Sequence, residues 1–450
     1  MNVPVGLWSG RRMHFVGVGG AGMSAYARAA HALGAEVSGS DGADGPYLRR
    51  LAADGVLDAH VGHRAENVPP GQDVELFYSS AVGEDNVERR AARERGIAER
   101  PRAELLGELS AMRRTIAVAG THGKTTTASM IAHALRAAGM RPGWLVGAPI
   151  GGGLANAEWG EGEWLVVEAD ESDRSMLSLS IEIALLTNVE LDHHASYASL
   201  AQLEDAFREF LALARTAVVV WDRAQLRALV ASGTGIEVVG YDAPEAVLVP
   251  GGSRFEWRGH EVTLEVPGAH NAIDAAGALE AARIAGAEPA LAIAGLAGFG
   301  GAGRRFQPLG QGPNGALLFE DYAHHPSEIA ATLRAARTLA HRRLVAVFQP
   351  HLYSRTALLA REFGQALALA DVVVVLDVYP ARERAEDHPG VSGLLIARSS
   401  ADAGAGRPVY WTPQFAEAER VLRAVLEQGD VCVVMGAGDV DALGRALVAS

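Results

Sequence analysis

The sequence predicts an α/β protein of three domains, each built around a mostly parallel sheet. Three observations lead to this prediction. The chain has 450 residues, which is too long for one ordinary hydrophobic core. Short apolar runs typical of buried strands alternate with helical patterns in three successive blocks. Two of these runs end in glycine-rich loops that lead into a helix, which is the context of a phosphate-binding loop.

Composition indicates a folded globular protein whose main partner is neither a nucleic acid nor a membrane. Apolar residues make up 49% of the chain and charged residues 21%. The net charge is −14 and no basic stripe is found, which argues against nucleic acid binding. We find no signal-like segment and no long uncharged apolar run. The single cysteine, Cys432, lies in the apolar run DVCVVMG and fits a reducing compartment, so we expect a soluble cytoplasmic protein.

The first block contains one βαβ unit with a glycine motif. The strand MHFVGV is followed by GGAGM, the helical pattern SAYARAAHALGA and the strand EVSGSD. Gly17, Gly19 and Gly22 form G-x-G-x-x-G, and Asp41 lies 19 residues beyond the last glycine. Such glycines let backbone amides approach a pyrophosphate at a helix N-terminus. Taken alone the motif favours a dinucleotide dehydrogenase, and close helix packing without any ligand is the alternative.

The second block carries an unusual phosphate loop. The strand TIAVAG runs into THGKTTT and a helical pattern, but Val118 stands where the usual G-x-x-x-x-G-K-[ST] has its first glycine. Lys124 is the only lysine, so 39 of the 40 Lys and Arg residues are arginine. A slim ammonium group reaches phosphate oxygens between backbone amides, where a planar guanidinium would clash. Lys124 is therefore predicted to bind phosphate, the alternative being a lysine that survived a compositional bias by accident.

Acidic side chains follow the next two strands of this block. EWLVVEAD ends with Glu168 and Asp170, with Glu171 directly after it, and IEIALLTNVE is followed by Asp192 and His193. Ligands sit at the carboxyl ends of strands in open α/β sheets. Carboxylates and an imidazole near a triphosphate are therefore predicted to hold Mg²⁺, although a solvated strand end and a merely structural histidine are the alternatives.

The third block begins near residue 310 and again alternates strands with alanine-rich helices. Its strands are ALLFEDY, RLVAVFQP, DVVVVLDVYP and DVCVVMGAGDV. Two of them end in the clusters DYAHHPSE and QPHLYSRT, which are rich in His, Tyr and Arg. Either cluster alone could be surface decoration, but both at strand ends favour a binding site.

These motifs, in this order, resemble the Mur ligase family and in particular its alanine-adding branch. They are HFVGVGGAGMSAYA, EVSGSD, YSSAV, AGTHGKTTT, EADESD, TNVELDHH, PGAHNAIDA, GRRF, DYAHHPSEI, FQPHLYSRT and GAGDV, and they span residues 13 to about 440. GTHGKTTT and HNAIDA are typical of the whole family, whereas GVGGAGMS, FQPHLYSRT and LDVYPARE are similar to the alanine-adding branch. A phosphate loop without glycine at position 118 is the form this family uses, so the resemblance identifies an ATP loop.

The resemblance implies three domains with separate ligands. Residues 1–110 would form a Rossmann-like N-terminal domain that binds the UDP-sugar. Residues 111–307 would form a central P-loop ATPase-like domain that binds ATP, and residues 308–450 a C-terminal Rossmann-like α/β domain that binds the amino acid. The first glycine motif would then hold UDP pyrophosphate, and no nicotinamide is needed.

The implied reaction is the ATP-dependent ligation of L-alanine to the lactyl carboxylate of UDP-N-acetylmuramate, a step of cytoplasmic peptidoglycan precursor synthesis. ATP first phosphorylates the carboxylate, because an oxide is a prohibitively poor leaving group. The amine of L-alanine then attacks the acyl phosphate and releases phosphate. ATP and Mg²⁺ are the implied cofactors, and a monomer or homodimer is expected.

Residue roles carried over from the family fall into four binding groups and one catalytic set. The residues expected at the nucleotide are Gly120, Thr121, Gly123, Lys124, Thr125, Thr126, Asn271, Arg305 and Asp321. Those expected at Mg²⁺ are Thr125, Glu168 and His193. Those expected at the UDP-sugar are Gly17, Gly19, Gly22, Asp41, His63, Ser79 and Ser80. Those expected at the amino acid are Tyr322, His324, His351 and Arg355, and the catalytic set is Lys124, Glu168, His193, Arg305 and His324.

Three positions depart from the family pattern. Leu352 replaces the arginine of HRYSR, which puts more weight on Arg355 as the partner of the alanine carboxylate. Asp274 stands where asparagine is common, and Arg174 takes the usual glycine of ESDGS. Several relatives also use a carbamylated lysine as a metal bridge, and with Lys124 committed to phosphate this chain has no lysine for it.

Three other functions are weighed against this one. A relative that adds a preformed peptide, serine or glycine to the same acceptor would share the ATP residues and differ in the third domain. A nicotinamide dehydrogenase would explain the first glycine motif but not the phosphate loop. A non-catalytic nucleotide-binding regulator would leave the metal and amino-acid clusters without a purpose.

Overall fold

The computed structural model describes residues 6–192, 196–230, 235–243 and 245–448. They fall into two compact units, Met1–Asp242 with Ile273–Phe299, and Ala243–Ala272 with Gly300–Ser450. The first unit contains two parallel-type sheets, and the second contains a small antiparallel sheet and a larger, mostly parallel one. No helix among the described residues is long and apolar enough to cross a membrane.

The N-terminal sheet of the first unit is entirely parallel. Its strand order is β3-β2-β1-β4-β5, so the order reverses beside β1, where open α/β sheets form a ligand crevice. The strands are Arg12–Val16 (β1), Glu36–Asp41 (β2), Asp58–Val61 (β3), Val74–Tyr78 (β4) and Ala98–Pro101 (β5). The glycine motif follows β1 and therefore lies at this crevice.

The second sheet of the first unit has the order β12-β11-β10-β6-β9-β7-β8 and is parallel except for β8. Its strands are Arg114–Ala119 (β6), Gly143–Leu145 (β7), Ala157–Glu158 (β8), Trp164–Glu168 (β9), Ile181–Leu186 (β10), Ala214–Trp221 (β11) and Glu237–Tyr241 (β12). The central strand β6 is buried from residue 115 onward because its side chains face helices on both sides. It delivers the phosphate loop to the carboxyl edge of the sheet.

The second unit contains two sheets. A three-stranded antiparallel meander consists of Val247–Val249 (β13), Gly252–Trp257 (β14) and His260–Leu264 (β15). The larger sheet has the order β16-β17-β21-β18-β19-β20, in which only β16 is antiparallel. Its strands are Gln307–Gln311 (β16), Leu317–Asp321 (β17), Leu344–Phe348 (β18), Val372–Val375 (β19), Val409–Trp411 (β20) and Val431–Met435 (β21).

Helices make most of the connections between the parallel strands, which need long crossovers. In chain order they are Ala21–Ala32 (α1), Pro46–Ala53 (α2), Val87–Arg95 (α3), Arg102–Ala111 (α4), Lys124–Ala137 (α5), Leu200–Ala212 (α6), Ala224–Arg227 (α7), Ala269–Ile284 (α8), Pro289–Ala297 (α9), Pro326–Ala336 (α10), Tyr353–Leu367 (α11), Gly393–Ala403 (α12), Phe415–Val425 (α13) and Asp441–Val448 (α14). The predicted α/β class with parallel sheets is confirmed. The antiparallel strands β8 and β16 and the β13–β15 meander were not anticipated, because short antiparallel additions leave little periodic signal.

Candidate active site

The phosphate loop is short because strand β6 continues through the position of the missing glycine. Val118 is fully buried and pairs with Leu185 on one side and Glu168 on the other, so it belongs to the sheet. The loop proper is residues 120–123, and helix α5 begins at Lys124. Gly120 has φ 133°, and a Cβ there would lie 2.0 Å from Thr187 Oγ1. Glycine is therefore required at position 120 and not at position 118.

Lys124 is held at the start of α5 by two carbonyls and one carboxylate. Its Nζ donates to Gly120 O at 2.6 Å and Thr121 O at 3.1 Å, and lies 2.9 Å from Glu171 Oε2. The Glu171 side chain is only 1% exposed and that of Lys124 13%. Burial lowers the pKa of the Lys124 ammonium, but the charges of Glu171 and Asp170 more than offset this, so its pKa is raised. Lys124 is therefore a fixed cation at the phosphate loop.

The two described residues expected at Mg²⁺ lie next to each other. Thr125 Oγ1 donates to Glu168 Oε1 at 2.9 Å, and the amide of Gly147 donates to Glu168 Oε2 at 2.6 Å. Hydroxyl and carboxylate oxygens are the hard ligands that Mg²⁺ prefers, so this pair fits the ion. The third expected ligand, His193, lies outside the described residues.

Other predicted nucleotide residues surround the same loop. Thr121 Oγ1 donates to Glu190 O at 2.9 Å, and His122 Nε2 lies 3.3 Å from Glu190 Oε2. A Cβ on Gly123, which has φ 82°, would lie 2.9 Å from Asp274 Oδ1. Asp274, the departure from the family asparagine, thus places a carboxylate beside the loop. Thr126 is buried in the first turn of α5.

The segment 168–175, which we call the acidic strap, has four carboxylates. Two of them face the phosphate loop and two face Arg102. Glu168 and Glu171 bind the phosphate-loop side chains described above. Asp170 and Asp173 instead accept hydrogen bonds from Arg102, at 2.8 and 2.7 Å. Burial raises the pKa of Asp170, but Arg102 and Lys124 lower it further, so the net shift is downward. The sequence pointed to Glu171 near the triphosphate but gave no signal for Arg102.

Arg174, in the strap, adopts φ 59°. This left-handed conformation favours glycine, which explains why the family pattern has glycine there. The Arg174 guanidinium pairs with Glu209 at 3.0 Å, with both side chains at least half exposed, so it points away from the phosphate loop's buried ion pair. A non-glycine residue is therefore accommodated at some cost in backbone strain.

At the N-terminal crevice, several residues expected at the UDP-sugar converge around the glycine motif. The Gly19 amide donates to Asp41 Oδ2 at 2.9 Å. A Cβ on Gly17, which has φ 83°, would lie 3.0 Å from the Cβ of Ser79. Ser80 follows as an exposed residue. A Cβ on Gly22 would lie 3.0 Å from Arg102 Nη1, so the third glycine also leaves space for that arginine.

His63 is oriented by a buried carboxylate that the sequence did not reveal. The fully buried Glu88 accepts hydrogen bonds from Ser40 Oγ at 2.6 Å and from His14 Nε2 at 3.1 Å. Because the single Ser40 proton goes to Glu88, Ser40 Oγ must accept from His63 Nδ1, which lies 2.9 Å away. His63 therefore carries its proton on Nδ1, so that Nε2 of the neutral ring can accept a hydrogen bond. The Glu88 pKa is lowered to about 2, since the hydrogen bonds from His14, Ser40 and Asn67 outweigh burial.

In the second unit, the four residues expected at the amino acid form one cluster of three rings and a guanidinium. The His324 ring centroid lies 5.3 Å from that of Tyr322 and 6.0 Å from that of His351. Arg355 is 3% exposed, and its Nη1 donates to His351 Nδ1 at 3.4 Å. His324 Nδ1 lies 3.0 Å from Tyr322 O, which only accepts, so Nε2 is the basic nitrogen of the neutral ring.

Tyr379 completes this cluster and was missed as a site residue. Its ring stacks on His351 with centroids 5.8 Å apart. The sequence signal for it was its place after the apolar strand β19, at the same carboxyl edge as the other two clusters. The neighbouring Leu352 has φ 71°, and its amide donates to Tyr379 O at 3.0 Å. This strained residue lies at the N-terminal end of α11, which carries Arg355.

The remaining predicted nucleotide residues of the second unit have internal partners. Both Asp321 oxygens are occupied, one by the Phe306 amide and one by the Ala323 amide, each at 2.7 Å. Burial raises the Asp321 pKa to about 6, against lowering by Arg305 and these amides. Arg305 lies over the Tyr322 ring, 5.3 Å from its centroid. Asn271 Nδ2 donates to Pro267 O at 2.7 Å. Their contact with a nucleotide stays a prediction.

Comparison with known proteins identifies the family. Residues 12–114 match the model described as Mur ligase family, catalytic domain, residues 118–282 the Mur ligase middle domain, and residues 304–438 the Mur ligase glutamate ligase domain. These three matches confirm the predicted three-domain organisation.

Full-length relatives agree with the domain matches. The UDP-N-acetylmuramate–L-alanine ligase of Rubrobacter xylanophilus is 42% identical over 97% of this chain and 99% of its own. The crystal structure of a UDP-N-acetylmuramate–alanine ligase from Thermotoga maritima superposes with a TM-score of 0.82 at 28% identity, covering 97% of this chain and 98% of that one. A murein peptide ligase from Psychrobacter arcticus shares the fold, with a TM-score of 0.73 at 22% identity and coverage of 97% and 98%. The chain therefore belongs to the Mur ligase family, in the branch of the UDP-N-acetylmuramate–L-alanine ligases.

Proposed function

We propose that this protein joins L-alanine to the lactyl carboxylate of UDP-N-acetylmuramate with conversion of ATP to ADP and phosphate. One observation carries the proposal: in a chain of this branch, the single lysine sits at a phosphate loop beside the Thr125–Glu168 pair. A lysine, a hydroxyl and a carboxylate at the end of a central parallel strand are the groups that phosphoryl transfer from ATP needs.

Charge neutralisation is the main task of the first unit. Lys124 neutralises the β and γ oxygens of ATP once the phosphates compete with Glu171 for its ammonium group. Thr125 and Glu168 hold Mg²⁺, with His193 as the further expected ligand. When bound, the ion supplies positive charge to the triphosphate. The glycine motif and His63 bind the UDP moiety, with Gly17, Gly19 and Gly22 giving the pyrophosphate access to backbone amides.

The chemistry proceeds in two displacements. A carboxylate oxygen of the lactyl group attacks the γ-phosphorus and ADP leaves, which gives an acyl phosphate. The neutral amine of L-alanine then attacks the acyl carbon, phosphate leaves, and the amine loses a proton. His324 Nε2 is the candidate acceptor of that proton, since its Nδ1 is committed to Tyr322 O. Arg355 pairs with the alanine carboxylate. Arg305 and Asp321 contact the bound nucleotide.

Location and assembly belong to the same proposal. A cytoplasmic enzyme is proposed because ATP is the co-substrate and the single cysteine, Cys432, cannot form an internal disulfide. A monomer or homodimer is proposed for the active species.

One assay tests the proposal. Phosphate release is measured with UDP-N-acetylmuramate, ATP and Mg²⁺ in parallel reactions containing L-alanine, L-serine, glycine or a tripeptide. We expect the highest kcat/KM with L-alanine, and an amide product of the corresponding mass. A higher kcat/KM with the tripeptide, serine or glycine would contradict the proposed amino-acid specificity, and no release with any of them would contradict the ligase activity.

A further inference from the structure

The acidic strap connects two loops that belong to different substrates. On one side its Glu171 is ion-paired with Lys124 and its Glu168 accepts from Thr125. On the other side, two further carboxylates of the same eight-residue segment bind Arg102. The strap therefore contacts both Lys124 and Arg102 within eight residues.

The guanidinium of Arg102 is largely buried and bridges two carboxylates of the strap. It is the first residue of α4, and its side chain is 13% exposed. Nε donates to Asp173 Oδ2 at 2.7 Å and Nη2 to Asp170 Oδ2 at 2.8 Å. Two carboxylates at fixed angles require the planar guanidinium, because an ammonium group cannot present two coplanar donors of this kind.

The third nitrogen of Arg102 faces the UDP-sugar loop. Nη1 would lie 3.0 Å from a Cβ on Gly22. Gly22, the third glycine of the motif, lies in the first turn of α1. Arg102 thus fills the space beside the helix N-terminus at which the UDP pyrophosphate is proposed to bind.

We propose that Arg102 is a positioning residue that couples the UDP-sugar loop to the ATP loop through the acidic strap, so that each ligand raises the affinity for the other. This inference rests on the proposed function for the identity of the two ligands. ATP that draws Lys124 away from Glu171 displaces the strap, and Arg102 transmits this displacement to the loop beside Gly22. Each ligand then favours the strap conformation that the other ligand prefers. By linkage the effect is the same in both directions.

The test measures binding rather than turnover. Calorimetry gives the dissociation constant of a non-hydrolysable ATP analogue with Mg²⁺, alone and with saturating UDP-N-acetylmuramate. For the wild-type protein we expect the UDP-sugar to tighten analogue binding about fivefold or more. In Arg102→Gln and in Arg102→Lys the ratio should fall to within twofold of one, because neither side chain bridges the two aspartates.

Arg100→Gln is the matched control. Arg100 lies two residues away, is 25% exposed and also makes three carboxylate contacts, but these are to Glu75, Glu104 and Glu108 rather than to the strap. It should keep the wild-type ratio even if its melting temperature falls. If Arg102→Gln does not fold, Asp173→Asn gives the same readout, with a smaller loss of coupling expected.

The outcomes separate this inference from the proposed function. A ratio that survives in Arg102→Gln and Arg102→Lys, or that is lost equally in Arg100→Gln, would overturn the coupling role. A wild-type ratio of one would overturn it as well. These results concern binding alone, whereas the absence of an L-alanine product in the wild-type assay would overturn the proposed function itself.

Discussion

The ammonium group of Lys124 lies 2.9 Å from the Glu171 carboxylate, so the residue expected to bind phosphate is already ion-paired in the structure. The Glu171 side chain is 1% exposed, so this side of the ion pair is shielded from water. Under the proposed function, triphosphate binding must therefore exchange one anionic partner of Lys124 for another. Affinity for ATP reflects the difference between these two interactions rather than the strength of the phosphate contact alone.

Lys124→Arg should abolish most turnover although it keeps the charge. The guanidinium is too broad for a position bounded by the carbonyls of Gly120 and Thr121. We expect kcat/KM to fall by about 100-fold or more, which corresponds to about 2.7 kcal/mol of transition-state stabilisation. Phosphate release measures this, with circular dichroism to verify the fold and the exposed Arg398→Lys exchange as a control. Near wild-type release would contradict the role of Lys124.

Glu171→Gln should destabilise the nucleotide-free protein and be partly rescued by ATP. Removing one partner of a buried ion pair typically costs about 3–5 kcal/mol, because the other charge stays buried. Phosphates then replace the missing anion, so the rise in melting temperature on adding an ATP analogue should exceed that of wild type. The control is Glu161→Gln, whose 71%-exposed carboxylate pairs with Arg141 at the surface. An equal rise in both variants would argue against the exchange.

Gly19→Ala should weaken UDP-sugar binding and spare ATP. The added Cβ would lie 2.9 Å from the Asp41 carboxylate, which receives the Gly19 amide hydrogen bond. We expect about a tenfold weaker dissociation constant for UDP-N-acetylmuramate by calorimetry, about 1.4 kcal/mol, with the ATP analogue within twofold of wild type. In Gly20→Ala the nearest atom to the new Cβ is 3.6 Å away, so that variant should bind both ligands normally. Equal losses of both ligands in Gly19→Ala would contradict separate sites.

Arg355→Ala should raise the KM for L-alanine by roughly tenfold to a hundredfold. A charged hydrogen bond is typically worth about 1.5–3 kcal/mol, and the 3%-exposed Arg355 is the guanidinium beside the His351 ring. The KM values for ATP and the UDP-sugar should barely change. Arg361→Ala, an exposed arginine on the same helix α11, serves as the control. An unchanged KM for L-alanine would show that another group binds the carboxylate.

Asp321→Asn should change the pH dependence of stability. Burial raises the pKa of Asp321 from the ordinary aspartate value of 3.8 to about 6 in the folded protein. The contribution of this carboxyl group to folding stability is therefore complete below about pH 4 and is lost as pH rises through 6. The loss amounts to about 3 kcal/mol. Asparagine has one oxygen for the two backbone amides that Asp321 binds, so the variant should be less stable. Urea unfolding should show this deficit to be largest near pH 4 and smaller at pH 7. A deficit that is constant with pH would contradict the raised pKa.

The parts of the site that follow strand ends were predictable from sequence. Gly17, Lys124, Glu168 and the two histidine clusters all lie at or shortly after the ends of apolar strands, and parallel topology brings such positions to the carboxyl edge of their own sheet. The length of strand β6 explains why the phosphate-loop pattern lacks its first glycine, because the strand continues through Val118.

Residues whose role comes from distant partners were not predictable. Glu88 lies in the charged run NVERRAARER, which reads as a solvated helix face, yet it is fully buried because its acceptors are met by His14, Ser40 and Asn67. Arg102 meets its aspartates across 68 and 71 residues of sequence. Neither pairing leaves a periodic or local signal, since it depends on tertiary contacts alone.

Lysine scarcity also determines how the protein responds to amine chemistry. All 39 other residues of the Lys and Arg set are arginine, so acylating reagents and aldehydes have a single ε-amine to modify, and it lies in the loop proposed to bind ATP. Its raised pKa and 13% exposure keep that amine protonated and shielded. Random amine coupling to a matrix or dye would therefore label the side chains poorly, and any lysine adduct recovered by mass spectrometry would report on the nucleotide site alone.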